Sequence, residues 1–194
     1  EYVKISHQVS WPGYDPMYDF FPSGPDTRVS YYGITGVPNT SLNGVAPGAP
    51  NTIVTSSTFA SAASEMTPYD ITVTQSWPDS NTIYLNIDVT NVTGSAISSA
   101  DKIYITMVEN QVDYGTAPGS NGETIFYNLM REMYTTTGAA GAPAGSALGT
   151  IAGSATENFS FTSSSLPSYI SDKAQVTFAV YIQNNGTKEI MQAG

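Results

Sequence analysis

A mainly β protein is what this sequence predicts: an antiparallel sandwich, Ig-like or jelly-roll in type, behind a short α/β segment. Three observations lead there. Residues 175–194, QVTFAVYIQNNGTKEIMQAG, alternate Val176, Phe178, Val180 and Ile182 with Thr177, Ala179 and Tyr181 before Asn184-Asn185-Gly186. Period two marks a strand with one face in a core, and Asn-Gly is strong hairpin-turn chemistry. Upstream, Ile83, Leu85, Ile87 and Val89 repeat the alternation against Tyr84, Asn86, Asp88 and Thr90. From Tyr69 onward, further short runs of this kind are separated by turn residues, the pattern of an antiparallel sandwich.

Composition narrows the function classes. The 194 residues suffice for one or two domains with real cores. Only 11% are charged and the formal net charge is −10, with Arg28, Arg131 and four lysines on the basic side. No basic patch exists to neutralise phosphates, so neither nucleic acid nor an anionic membrane is an expected partner. The absence of cysteine excludes a disulfide framework, thiol catalysis and thiolate metal sites within the chain. No apolar run approaches the roughly 20 residues of a spanning helix, so direct membrane insertion is not expected. A polar, weakly charged chain suits an extracellular β protein. The start at Glu1, without a signal peptide, fits a mature or cropped product.

In chain order, Val3, Ile5 and His7 alternate with Tyr2, Lys4 and Ser6, which predicts a strand over Tyr2–Val9. Trp11 to Pro25 is a loop broken by prolines and glycines. Its aromatics, Trp11, Tyr14, Tyr18, Phe20 and Phe21, favour packing down over waving in solvent. Asp26 is a good N-cap for a short helix through Tyr32, and Gly33 a good stop. Ser57 to Met66 carries Phe59, Ala62, Ala63 and Met66 at helical spacing, with Ser57 or Thr58 as cap. Ile71 and Val73 alternate next, Trp77 to Asn81 turns, Thr93-Gly94-Ser95 turns, and Ile103, Ile105 and Met107 form another inward row. Glu123 to Met133 suits a strand through Ile125, Tyr127 and Leu129, or a helix; its neighbours favour a strand. The Gly/Ala-rich 138–153 loop has a length that points to mobility. Phe159 and Phe161 mark another strand, Leu166-Pro167-Ser168 leads on, and Thr187–Gln192 returns as the last strand.

Tyr31-Tyr32-Gly33-Ile34-Thr35-Gly36-Val37-Pro38 resembles the thioredoxin-like superfamily, in which a short helix runs into Gly-Val-Pro. The resemblance implies a cis Pro38, a strand over Thr40–Leu42 with Asn43-Gly44 as its turn, and a closing helix in Ser57–Met66. It covers roughly the first 65 residues. The family's opening β-α-β segment and Cys-x-x-Cys have no counterpart here, so the visible half-domain lacks its central strand. Three sources for that strand follow: an upstream segment, a bound nicked fragment, or a strand donated by another copy. A fourth outcome is a rearranged fold in which the Tyr2–Val9 strand and the strand after Pro38 pair directly or join the sandwich edge.

A second resemblance lies in Val108-Glu109-Asn110, Leu129-Met130-Arg131-Glu132-Met133, Gly149 and Val180 through Ala193. These segments are similar to the Omp family of outer-membrane-associated proteins in Bacteroidetes, which pair a thioredoxin-like half with a β-sandwich half. The resemblance implies residues 1–66 as a partial thioredoxin-like segment and 67–194 as the sandwich. It also implies export to the cell surface, often by the type IX route, and family positions at Glu109 and Arg131.

Each chemical candidate has a plainer counterpart. His7 with Asp15, Asp19 and Asp26 could ligate a metal, calcium included; the plainer reading is a packed strand-end histidine and solvated loop carboxylates. Glu109 with Arg131 reads as a structural ion pair. Gly33, Gly36 and Pro38 read as structural. Trp11, Tyr14 and Tyr18 offer a glycan-stacking platform or ordinary packing. The leading expectation is an exported bacterial surface module, structural or adhesive, binding other protein chains or copies of itself by strand addition, with no catalysis and no cofactor in this chain. Two alternatives stand beside it: the later part of a thiol–disulfide oxidoreductase whose Cys-x-x-Cys lies upstream, and a carbohydrate-binding module or strand-exchanging filament subunit.

Overall fold

The computed structural model describes residues 2–98, 100–119, 121–163, 166–170 and 172–194. The first 66 residues contain helix α1 (Ser23–Tyr32), hairpin strands β1 (Thr40–Leu42) and β2 (Val45–Gly48), the short helix α2 (Pro50–Ile53) and helix α3 (Ser56–Ala63). Strands follow: β3 (Tyr69–Ser76), β4 (Ile83–Asn91), β5 (Ile97–Ser98), β6 (Asp101–Asp113), β7 (Ile125–Tyr134), β8 (Ser146–Ala147), β9 (Thr150–Ile151), β10 (Thr156–Ser163), β11 (Val176–Asn184) and β12 (Ile190–Ala193).

The strands build an antiparallel sandwich. One sheet has the order β10-β4-β3; the other has β12-β11-β6-β7, with β8 beside β6. The β5–β9 pair closes one end. The inward rows predicted from periodicity meet between the sheets. Ile83, Leu85, Ile87, Val89, Ile103, Ile105, Met107, Phe178, Val180 and Ile182 belong to one buried core. Alternation on β4 is complete, because its other face meets solvent.

The five-stranded sheet departs from that rule. Tyr104, Thr106 and Val108 on β6, and Ala179, Tyr181 and Gln183 on β11, are as buried as the core row. Residues of the first segment cover this second face, so three layers stack. Ile5 and Phe21 pack on Tyr104, Met130, Met133 and Tyr181. Met17 packs on Val112, Phe126 and Leu129. On β7 the expected row of Ile125, Tyr127 and Leu129 breaks: Phe126 and Leu129 are buried while Tyr127 is exposed. The cause is irregular pairing. Asn128 has φ 55°, and the register slips between Met107 and Val108, leaving Arg131 as an extra residue on β7.

Several expected boundaries move for local reasons. Tyr2–Val9 is not a strand. Ser6 alone forms a parallel bridge to β7, its N–H donating to Asn128 O and its carbonyl accepting from Met130 N–H. The bulged edge of β7 turns away too quickly to pair further. Helix α1 begins at Ser23, with Pro22 at its cap and no side-chain cap. Asp26 therefore sits within the first turn, where a carboxylate meets the positive helix end. Thr55, rather than Ser57 or Thr58, caps α3 through a reciprocal box with Thr58. The helix stops at Ala63, so Met66 lies beyond it and is 97% exposed.

The 138–153 segment is pinned, not loose. Leu148 and Ile151 are buried, β8 pairs with β6, and β9 pairs with β5. Gly145 lets the backbone lie on the Tyr104 ring, since a Cβ there would sit 2.8 Å from it. The closing hairpin is wider than a two-residue turn. Asn184 Oδ1 accepts from the N–H groups of Gly186 and Thr187, Lys188 takes φ 68°, and β12 begins only at Ile190.

Candidate functional site

The first segment is fastened to the sandwich at two buried arginines. Arg28, on α1, is 5% exposed and pairs with no carboxylate among the described residues. Aromatic faces hold it instead. Its guanidinium carbon lies 4.8–4.9 Å from the ring centroids of Tyr31, Tyr32 and Tyr104, and 5.9 Å from that of Tyr181. Tyr104 and Tyr181 stack at 4.9 Å beneath it. Arg28 Nη2 donates to Tyr32 Oη and to Gln183 Oε1, both at 2.8 Å. Gln183, fully buried, donates onward to Tyr32 Oη and to Lys188 O. A desolvated cation over aromatic faces gains about 2 kcal/mol, so the cage offsets part of the cost of burying the charge.

That network links α1 to the closing hairpin, and the β1–β2 turn docks there too. Ile190 N–H donates to Asn43 O at 2.7 Å. Gly44 is buried at φ 76°, and a Cβ on it would lie 2.1 Å from Lys188 O, so backbone meets backbone with no room for a side chain. The two Asn-Gly segments noted in the sequence thus meet in space.

Arg131 is the second fastener. Its Nε donates to Glu109 Oε2 at 2.7 Å, with side chains 2% and 0% exposed. The Arg131 guanidinium also lies over Phe20 and Tyr169, at 5.6 and 5.5 Å from the ring centroids. Tyr169 and Phe20 stack at 4.5 Å, and Tyr169 Oη donates to Arg131 O. Burial, with the Glu132 charge nearby, pushes the Tyr169 hydroxyl up to about 12.

The candidate metal residues disperse. Among the described residues no group of three or more His, Asp or Glu side chains gathers to hold an ion. Asp15 accepts from Met17 N–H, Asp19 from Tyr14 Oη and Asp26 from Tyr18 Oη. Burial raises the Asp15 carboxyl above its ordinary value. His7 Nδ1 is buried without a hydrogen-bond partner. Burial, with the Arg28 charge close by, lowers its pKa to about 3, so His7 is neutral throughout the physiological range. Trp11, Tyr14 and Tyr18 form none of the close ring pairs among the described residues, and Tyr14 is 65% exposed. Gly33 closes α1 at φ 69°, its N–H donating to Ser30 O. Gly36 and Pro38 lie exposed on the way to β1, and the Val37–Pro38 peptide is cis.

Sequence reading missed the Arg28 cage. The signal available was Arg28-x-x-Tyr31-Tyr32 on one short helix, but the other rings come from strands far along the chain.

Fold and site together describe a mainly β, antiparallel sandwich protein with an α/β segment packed on one sheet. Comparison with solved structures finds two similar chains from Porphyromonas gingivalis. HBP35 matches at a TM-score of 0.59 and 13% identity over 93% of this chain. The chain spans only 59% of that HBP35 chain. A domain of the outer membrane lipoprotein Omp28 matches at a TM-score of 0.39 and 10% identity, over 67% of this chain and 87% of that one. No family model and no curated protein sequence matches the chain.

Proposed function

We propose that this chain is an exported bacterial cell-surface module, structural or adhesive, that acts through protein–protein contacts at a sheet edge. The observation that carries this reading is β10. Its eight residues pair with β4 on one side in unbroken register, and no strand pairs with its other side among the described residues. Native proteins discourage edge pairing with charged side chains, above all lysine, or with proline or a bulge on such a strand. TENFSFTS has no lysine, proline or bulge, and its one charge is Glu157. The polar, weakly charged composition and the resemblance to outer-membrane-associated proteins support the location. Protease shaving of intact producing cells, followed by fractionation, tests it. Loss of the chain on shaving, from an outer-membrane or supernatant pool, is the expected result; retention in the cytosol rules the reading out.

A second reading rests on the order α1, Gly33, Pro38, β1–β2 and α3. In it, residues 1–66 are the later half of a thioredoxin-like domain in a longer oxidoreductase, and Pro38 faces a Cys-x-x-Cys upstream. The complete reading frame decides: the motif within some tens of residues before Glu1 favours this reading, and its absence removes it.

A further inference from the structure

Neighbouring segments touch the other edges of the sandwich. The edge of β7 is met by Ser6 and by Ala140. Ile190 on β12 donates to Asn43 O. The Gln192 side chain donates to Tyr69 O and the Gln75 side chain to Val176 O, which brings β3 against the neighbouring sheet. β10 stands apart from these.

The ladder shows which backbone groups β10 leaves free. Asn91 N–H donates to Ala155 O, just before the strand, and the register with β4 continues without a shift to Ser163 opposite Ile83. Antiparallel pairs alternate between hydrogen-bonded and non-hydrogen-bonded. Residues 157, 159, 161 and 163 therefore turn their backbone groups to β4, and 156, 158, 160 and 162 turn theirs outward. The outward-turned residues are all exposed.

We infer that this edge pairs with the same edge of a second copy of the chain, antiparallel and centred on Ser160. The inference rests on the sheet-edge reading above and names its partner. The strand is near-palindromic about Ser160. In that register Phe159 faces Phe161 of the second copy, Asn158 faces Thr162, and Glu157 faces Ser163. Six backbone hydrogen bonds follow, two at Ser160 and two at each Asn158–Thr162 pair. The Phe159–Phe161 contacts add cross-strand aromatic pairs, and Phe159 is only half-buried within one copy. Glu157 is the strand's single charge, and in this register it meets a neutral residue, so a chain of net charge −10 brings no like charges together along the seam. Centring on Phe159 would set Glu157 against Phe161, a worse match. The product joins two three-stranded sheets into one of six strands, with the Thr156, Asn158, Ser160 and Thr162 rows continuous on its outer face.

This chain has no cysteine, so introduced thiols report the register directly. A hydrogen-bonded pair sets Cα atoms about 5.5 Å apart, within disulfide reach. Oxidised Ser160→Cys should run as a covalent dimer. Asn158→Cys alone should remain monomeric, and mixing it with Thr162→Cys should give the heterodimer. Independently, Ser160→Lys and Ser160→Glu should each raise the dimer Kd about tenfold in sedimentation equilibrium, and an equimolar mixture should restore association. These side chains face solvent, and unchanged melts of the variants would show that folding is intact. A wild-type chain that stays monomeric up to millimolar concentration overturns the inference. So does a Ser160→Cys yield no greater than that of Asn158→Cys alone. Either failure leaves the surface-module reading standing, because the shaving experiment decides that separately.

Discussion

The two faces of the β6–β11 pair are equally buried and built on different principles. The face toward β3, β4 and β10 is aliphatic and aromatic: Ile103, Ile105, Met107 and Phe178 against Leu85, Ile87 and Phe161. The face toward the first segment carries Tyr104, Thr106, Tyr181 and Gln183, and it receives Arg28 and His7. Among the described residues, buried polar atoms without hydrogen-bond partners include His7 Nδ1, Arg28 Nε, Tyr31 Oη and Arg131 Nη1, distributed over that second layer and the neighbouring Glu109–Arg131 pair. An apolar face needs only shape and area. A polar one must place each donor, and every orphan costs about 1–3 kcal/mol. The inner face is thus the folding core, and the outer face is an internal docking surface with chemical specificity.

This contrast can be broken first at Arg131. Arg131→Leu removes the buried counter-charge of Glu109 and should cost about 3–5 kcal/mol in denaturant melts, while Arg131→Leu with Glu109→Leu should recover much of that loss. A single variant as stable as the wild type would show that the pair is not desolvated in solution. Leu85→Ala probes the inner face and should cost about 2–5 kcal/mol, since Leu85 is fully buried in the main core. A loss under about 1 kcal/mol would place β4 at the periphery.

Arg28→Met should cost about 2–3 kcal/mol through the charged hydrogen bonds and the cation–π contacts. Hydrogen exchange sharpens the comparison here. Protection over residues 23–44 should fall while β4 keeps its protection, because the docked layer opens without the core. Equal loss in both regions would merge the two faces into one cooperative unit.

A pH dependence of the outer face sharpens the comparison further, small near neutral pH and growing as pH falls. The folded pKa of His7, about 3, lies below its ordinary 6.5. The unfolded chain binds a proton as pH falls below 6.5, and the native chain does not until about 3. His7 therefore costs nothing above pH 6.5, and stability declines as pH drops from 6.5 toward 3. His7→Phe should flatten that decline relative to wild type. Parallel pH profiles for the two proteins would place His7 in solvent.

Periodicity and turn chemistry, both local properties, carried much of this architecture in the sequence itself. Rows such as Ile83–Val89 and Val176–Ile182 had to face a core, since exposing one would leave a continuous apolar stripe in water. Asn184-Asn185-Gly186 had to turn, and Gly33 had to end a helix. Glu109 and Arg131 were readable as partners through the family positions they match, on strands expected to be neighbours.

What covers the second face of β6 and β11 was decided only in three dimensions. Nothing local marks Ala179 or Tyr181 as buried, because alternation reports one core and a third layer erases its outward half. The fate of Tyr2–Val9 was equally non-local: its own alternation favours a strand, yet the bulged edge of β7 accepts one residue, Ser6. Arg28 needed rings and an amide from positions 104, 181 and 183, brought together by the β6–β11 register. A charge buried without a counter-ion is unfavourable at every level of sequence reasoning, and only that assembled aromatic cage makes it tolerable.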